Sequence, residues 1–180
     1  MTAINGERLL VLVRHAKSVP KDTAAPDFDR PLADRGRAEA PRAGQWLAGS
    51  GCRLDFALCS SACRTRQTWQ LMVPGLGEPP PVVYEDRLYN ASSDDLMAVL
   101  AETDESVTGL VMVGHNPGIH ELAVALCGKG GSGGSDEEEL LHRIREGFPT
   151  SAVVVVALPG AWRELAPGRG RPKAFWTPHG

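Results

Sequence analysis

Short, unbroken apolar runs alternate along this chain with longer stretches in which apolar residues recur every three or four positions. Leu9–Val13, Asp55–Cys59, Pro81–Tyr84, Gly109–Val113 and Ala152–Leu158 are runs of the first kind. Their lengths and β-branched content predict strands, most of them buried on both faces. Between them, helical spacing predicts helices over Asp34–Ala48, Ser61–Met72, Ser93–Glu102, Pro117–Cys127 and Asp136–Glu146. Strand and helix in alternation are the pattern of βαβ units, so the expected fold is α/β, a three-layer α/β/α sandwich around a mostly parallel sheet. Trp162–Leu165 and Lys173–Thr177 alternate apolar and polar residues and predict a closing hairpin at one edge. Pro41 falls inside the first helix and is expected to kink it or delay its start. Ahead of the fourth, Asn116 is placed to cap free amides, with Pro117 at the first helical position.

Composition narrows this picture without redirecting it. With 180 residues, 19 Lys+Arg against 22 Asp+Glu and 42% hydrophobic residues, the chain reads as one domain, 1–180, long enough to bury a core without disulfide or metal staples. Residues 128–136, rich in Gly and Ser, read as a flexible loop inside that domain. A net charge of -3 argues against nucleic acid as the main partner, since such domains carry a basic excess. Leu9–Val13 is far short of the roughly 18 apolar residues a membrane span needs, and no secretory signal pattern precedes it. The expected setting is cytoplasmic, with no membrane partner. Cys52, Cys59, Cys63 and Cys127 form no CxxC pair, so free thiols are expected.

The chemistry is read from position. Arg14-His15 follows the first strand directly, Ser60-Ser61 with Arg64 follows the second, and Gly114-His115 follows the fourth. In an open parallel sheet the carboxyl ends of the strands share one edge, where ligands bind. Two histidines and two arginines from three separated segments are therefore expected to converge. Arginine forks match phosphate oxygens, and helix starts near Ser61 and Asn116 add anion affinity. An imidazole held between two guanidiniums is disfavoured as a cation and stays neutral and nucleophilic. His142 and His179 lack such placement and read as surface residues. His115, His120 and Glu121 lie close in sequence, but positions five apart on a helix diverge by roughly 140°, and there is no HExxH motif. No metal or other cofactor is expected.

Four blocks carry a resemblance: Leu12–Ser18 with its Arg14-His15 pair, Arg30–Gly36, Cys59–Thr68, and Val113–Pro117, with Phe148–Ala152 continuing the match. In this order they resemble the histidine phosphatase superfamily, whose fold is called phosphoglycerate mutase-like. The resemblance implies that His15 accepts the phosphoryl group, that Arg14 and Arg64 clamp it, and that His115 stabilises it in transfer. Ser18 and Ser60 stand beside these motifs as further substrate-binding donors. Ala16 occupies a position where the family usually has glycine.

Many members also carry a glutamate beyond the third strand that protonates the leaving group. The corresponding stretch here is Asp86-Arg87-Leu88-Tyr89-Asn90, with Asn90 in the glutamate's place and Glu85 and Asp86 nearby. Asparagine cannot supply that proton. The short chain and this block resemble the SixA-type phosphohistidine phosphatases, whose imidazole leaving group takes its proton from solvent. The expected partner is a phosphorylated protein, a signalling or phosphorelay protein carrying phosphohistidine, with a small phosphate ester or a phosphoserine or phosphothreonine protein as the alternative substrate. A phospho-ligand binding module without turnover is the reading from another class.

Overall fold

The computed structural model describes residues 6–22, 25–128 and 134–180. Six strands form one sheet: β1 (Arg8–Arg14), β2 (Phe56–Ser60), β3 (Val82–Glu85), β4 (Gly109–Gly114), β5 (Val153–Leu158) and β6 (Arg171–Trp176), in the order β3-β2-β4-β1-β5-β6. β3, β2, β4 and β1 are mutually parallel. β5 runs antiparallel to β1, and β6 antiparallel to β5. The helices are α1 (Asp34–Gly49), α2 (Cys63–Met72), α3 (Ser93–Ala101), α4 (Gly118–Cys127) and α5 (Ser135–Glu146).

Side-chain alternation along β1 builds the layers. Leu10 and Leu12 point into one core with Leu96, Leu100, Leu122 and Ile144, from α3, α4 and α5. Leu9, Val11 and Val13 point into the other with Ala43, Leu47, Trp69 and Met72, from α1 and α2. A strand apolar on both faces has to be covered on both, which is why the central runs lack polar alternation. Each fully buried Leu or Val contributes roughly 2 kcal/mol relative to exposure.

Two glycines set how closely the α1 layer approaches. A Cβ on Gly36 would lie 2.1 Å from the Lys17 carbonyl oxygen, and one on Gly44 would lie 2.3 Å from that of Met72. Both helix positions thus need the missing side chain so that α1 can rest on the chain leaving β1 and on the end of α2. The same junction is held by hydrogen bonds: Ala33 N donates to Lys17 O at 2.9 Å, and Leu32 N to Gln67 Oε1 at 2.8 Å.

Several expectations require correction. α1 starts at Asp34 and continues across Pro41; the missing N–H costs one intrahelical bond, and packing of Ala40, Ala43 and Leu47 outweighs it. Trp162–Glu164 is a 3-10 turn instead of a strand, so no hairpin forms there, and β6 alone closes the edge of the sheet, antiparallel to β5. The Trp162 indole explains the turn, since it is buried and its Nε1 donates to Val107 O at 2.8 Å. α4 begins at Gly118, after Pro117, and Asn116 gives no side-chain cap. Of the expected loop, residues 129–133 lie outside the described residues, and the helix α5 already includes 135 and 136, with acidic residues in its first turn and arginines in its last as the helix dipole favours. All four cysteines are free, as expected.

Candidate active site

β1, β2 and β4 end on one edge of the sheet. Arg14 pairs with Gly114 across the β1/β4 ladder, so the next residues, His15 and His115, stand side by side with ring centroids 5.3 Å apart. α2 brings Arg64 in its first turn, 6% exposed. Thr68, one turn further, ties that helix to the chain after β1: its Oγ1 accepts from Ala16 N at 2.9 Å and donates to Arg64 O at 2.7 Å. Ala16 fits without backbone strain, because the only non-glycine residues with positive φ among those described are Asn90 and Ser151.

Since β5 opposes β1, its beginning lies at this same edge. Arg14 N donates to Ala152 O and Ser151 N to His15 O, each at 3.1 Å. The Phe148 carbonyl accepts from Arg14 Nη1 at 3.1 Å and from Asn116 Nδ2 at 2.9 Å. Asn116 is drawn into this link through Nδ2, while its Oδ1 is buried without a protein partner and gives no cap to α4.

Both imidazoles have fixed surroundings. Nδ1 of His15 lies 2.7 Å from Ala16 O; a carbonyl only accepts, so Nδ1 carries the proton and Nε2 keeps its lone pair. His115 Nε2 and Ser60 Oγ share a hydrogen bond of 2.8 Å. Arg14 Nε, Arg64 Nε and His115 Nδ1 are buried with no protein partner. Such groups are rare in native interiors, and these three nitrogens on neighbouring residues leave free donors that suit an anion.

Burial pushes His15 down from its ordinary range to about 3; the Ala16 carbonyl opposes this, while His115, Arg64 and Arg14 add to it. His115 is likewise pushed to about 3 by burial first, then by Arg64, with Asp27 opposing. Both rings are neutral near pH 7. An unfolded chain takes up a proton on each near pH 6.5, whereas the folded protein does not until about pH 3. This contribution to stability is complete above pH 6.5 and is lost as the pH falls below it, by about 1 kcal/mol per pH unit and per histidine. Urea unfolding at pH 7 and pH 5 should show the loss, and His115→Gln should make the dependence shallower.

Asp27, which sequence reading missed, organises the rim of the site. It sits on a 3-10 turn, Asp27–Asp29. Oδ1 accepts from Arg30 Nε at 3.0 Å and Nη2 at 2.8 Å. Oδ2 accepts from Arg64 Nη2 at 3.1 Å and from the Tyr89 hydroxyl at 2.6 Å. Tyr89 also meets the His115 ring edge-on at 5.5 Å. The hydroxyl bond from Tyr89, then those from Arg30 and Arg64, hold the Asp27 carboxyl well below the usual carboxylate range. The signal available beforehand was Arg30 within a motif block; nothing local connected it to Asp27's other partners.

The remaining sequence candidates divide. Ser60 joins the histidine cluster. Ser18 instead accepts from Arg30 Nη1 at 2.9 Å and belongs to the rim. Glu85 is tied to Arg87, whose Nε and Nη2 reach it at 3.0 and 3.1 Å. Asp86 accepts a short hydrogen bond from the Ser61 hydroxyl and lines a pocket with Phe28, Arg66, Gln70 and Tyr84. Neither acid has a contact with either histidine. His120 donates through Nε2 to Ile144 O at 2.7 Å. Among the described residues no group of three or more His, Cys, Asp or Glu is arranged to hold a metal ion, and no helix is long and apolar enough to cross a membrane.

Paired arginines beside an unprotonated imidazole nitrogen, on the carboxyl edge of an α/β sheet, are suited to holding and accepting a phosphoryl group, the chemistry of a phosphatase, a hydrolase. The model of the histidine phosphatase superfamily (branch 1) matches residues 10–118, more than half of the chain, and the chain belongs to that superfamily. An uncharacterised protein of Mycobacterium tuberculosis (strain H37Rv) is 38% identical over 166 residues, covering 92% of this chain and 99% of that one. Among solved structures, a candidate phosphohistidine phosphatase SixA from Nakamurella multipartitia superposes with a TM-score of 0.81 at 32% identity, over 96% of this chain and 97% of that one. A candidate SixA from Agrobacterium tumefaciens gives a TM-score of 0.77 at 32% identity, over 94% and 97%.

Proposed function

We propose that this phosphatase removes the phosphoryl group from phosphohistidine on a protein, passing it through a covalent intermediate on His15. Nε2 of His15 attacks phosphorus in line. A P–N bond forms as the substrate's own P–N bond breaks, and the departing imidazole is protonated from solvent at its other nitrogen. Water then attacks the phosphorylated His15, releasing orthophosphate and returning the lone pair to Nε2. Arg14, Arg64 and His115 supply donors to the equatorial oxygens, where charge redistributes during transfer. Ser60 holds the His115 ring for that role.

The observation that carries this reading is where the nearby carboxyls go. Glu85 is spent on Arg87 and Asp86 on Ser61. Asp27 is held ionised by its cationic and hydroxyl partners and has no proton to give. Asn90 is exposed and backbone-strained, with φ 56°. A site so arranged favours leaving groups that depart without a positioned acid, and an imidazole does so far more readily than an alkoxide. The resemblance to SixA-type structures over nearly the whole chain supports the same substrate class.

The test is a side-by-side rate measurement on a phosphohistidine protein, a phosphoserine protein and a panel of small phosphate esters. The phosphohistidine protein is expected to turn over at least about 100-fold faster in kcat/KM than the phosphoserine protein, the low end of what a positioned acid contributes. Equal rates on the two proteins, or a preference for a small ester, would overturn the reading.

A further inference from the structure

We infer that Asp27 is a positioning residue for the phosphoryl-transfer step, holding the Arg64 guanidinium at two points so that its inner edge faces the transferring group. The inference deepens the proposed function and rests on its assignment of Arg64 to the phosphoryl group.

One residue engages both outer nitrogens of Arg64. The Asp27 backbone carbonyl accepts from Nη1 at 2.7 Å, and its carboxylate Oδ2 accepts from Nη2 at 3.1 Å. The fork cannot rotate about its last bonds while both contacts hold. Nε, on the inner side, is left buried and without a protein partner. A guanidinium has five N–H donors in a fixed plane. Tying one on each outer nitrogen leaves the Nε–H and two others for phosphoryl oxygens. Asp27 is fixed in turn, because Arg30 grips Oδ1 with two nitrogens and the Tyr89 hydroxyl shares Oδ2 with Arg64. The Arg64 guanidinium lies 5.8 Å from the Tyr89 ring centroid, so Tyr89 touches both members of the pair.

The arrangement has an electrostatic consequence that distinguishes it from ordinary scaffolding. A carboxylate beside the anion site repels a bound phosphate dianion. Retaining it there weakens ground-state binding, while the orientation it imposes on Arg64 assists transfer. Removing only the charge should therefore separate the two quantities. A residue that merely held the 3-10 turn in place would lower binding and turnover together.

The experiment uses the full chain, para-nitrophenyl phosphate as substrate and orthophosphate as competitive inhibitor. Asp27→Asn is expected to lower kcat by about ten- to a hundredfold, the range associated with misplacing a catalytic group by about an ångström. The inhibition constant of orthophosphate should stay the same or fall. The cycle is closed with Arg64→Lys, which keeps the charge but cannot be held at two points. In that background Asp27→Asn should change kcat less than about twofold, because it acts through the fork that is gone. Circular dichroism and melting temperature confirm that each variant is folded. The inference is overturned if Asp27→Asn leaves kcat unchanged, if kcat and orthophosphate affinity fall together, or if the loss is the same in both backgrounds. Failure of the underlying assignment looks different: Arg64→Lys alone would then keep wild-type kcat. Failure of the phosphohistidine reading would appear only in the protein-substrate rates and would leave this cycle intact.

Discussion

His15→Ala is expected to abolish the covalent phosphoenzyme and to lower turnover by at least about 10⁴-fold, the scale on which loss of a nucleophile acts. The size follows from the geometry. His15 is the ring whose tautomer is set by a carbonyl, through Nδ1 at 2.7 Å from Ala16 O, which leaves Nε2 as an unprotonated nucleophile without help from a general base. No second group in the cluster is so prepared, since His115 Nε2 is engaged with Ser60. The measurement is a rapid quench with a labelled phosphoryl donor. Wild type should give an adduct that is labile in acid and stable in base, as a phosphoramidate is, and His15→Ala should give none. His115→Ala, by contrast, should still form the adduct, more slowly by about 10² to 10³, because it loses a donor to the transition state and keeps the nucleophile. An adduct that survives His15→Ala would assign the attack to another residue.

The second large effect concerns leaving groups. Across a series of aryl phosphates, log kcat/KM should fall steeply as the phenol becomes less acidic, and a simple alkyl phosphate should lag the trend's acidic end by on the order of 10² to 10⁴, the usual worth of a positioned acid. Glu85→Gln and Asp86→Asn should leave the slope unchanged, because these carboxyls are bound to Arg87 and Ser61 and touch neither histidine. A shallow slope in the wild type that steepens in either variant would identify that residue as a proton donor and would reopen phosphate esters as the substrate class.

The convergence of the candidate residues was legible because they sit where buried strands end. The runs Leu9–Val13 and Gly109–Val113 are apolar on both faces, so the first polar residues after them, Arg14-His15 and His115, had to lie at a sheet edge. Ser60 and Arg64 follow from the same logic. What stayed hidden depends on contacts between distant segments. Asp27 lies 37 residues from Arg64 and 62 from Tyr89, and in a polar loop an acid three residues before an arginine reads as a surface ion pair. Ser18 shows the converse: adjacency to a motif placed it with His15, while the backbone bridge Ser18↔Leu32 turns it toward Arg30. The misread hairpin has a similar cause, since one buried indole decided the conformation of Trp162–Glu164 against the local alternation.

The reversed direction of β5 has a consequence for what counts as the site. The matched family region ends at residue 118 and already contains Arg14, His15, Arg64 and His115, yet the acceptor that steadies Arg14 is the carbonyl of Phe148. A fragment ending after α4 would hold all four candidate side chains and lack the backbone carbonyl that Arg14 binds. The same carbonyl binds Asn116, so a single peptide unit couples the last third of the chain to the end of β1 and to the segment that follows β4. Completion of this edge therefore depends on the segment between α5 and β5, whatever order the earlier parts of the molecule take shape in.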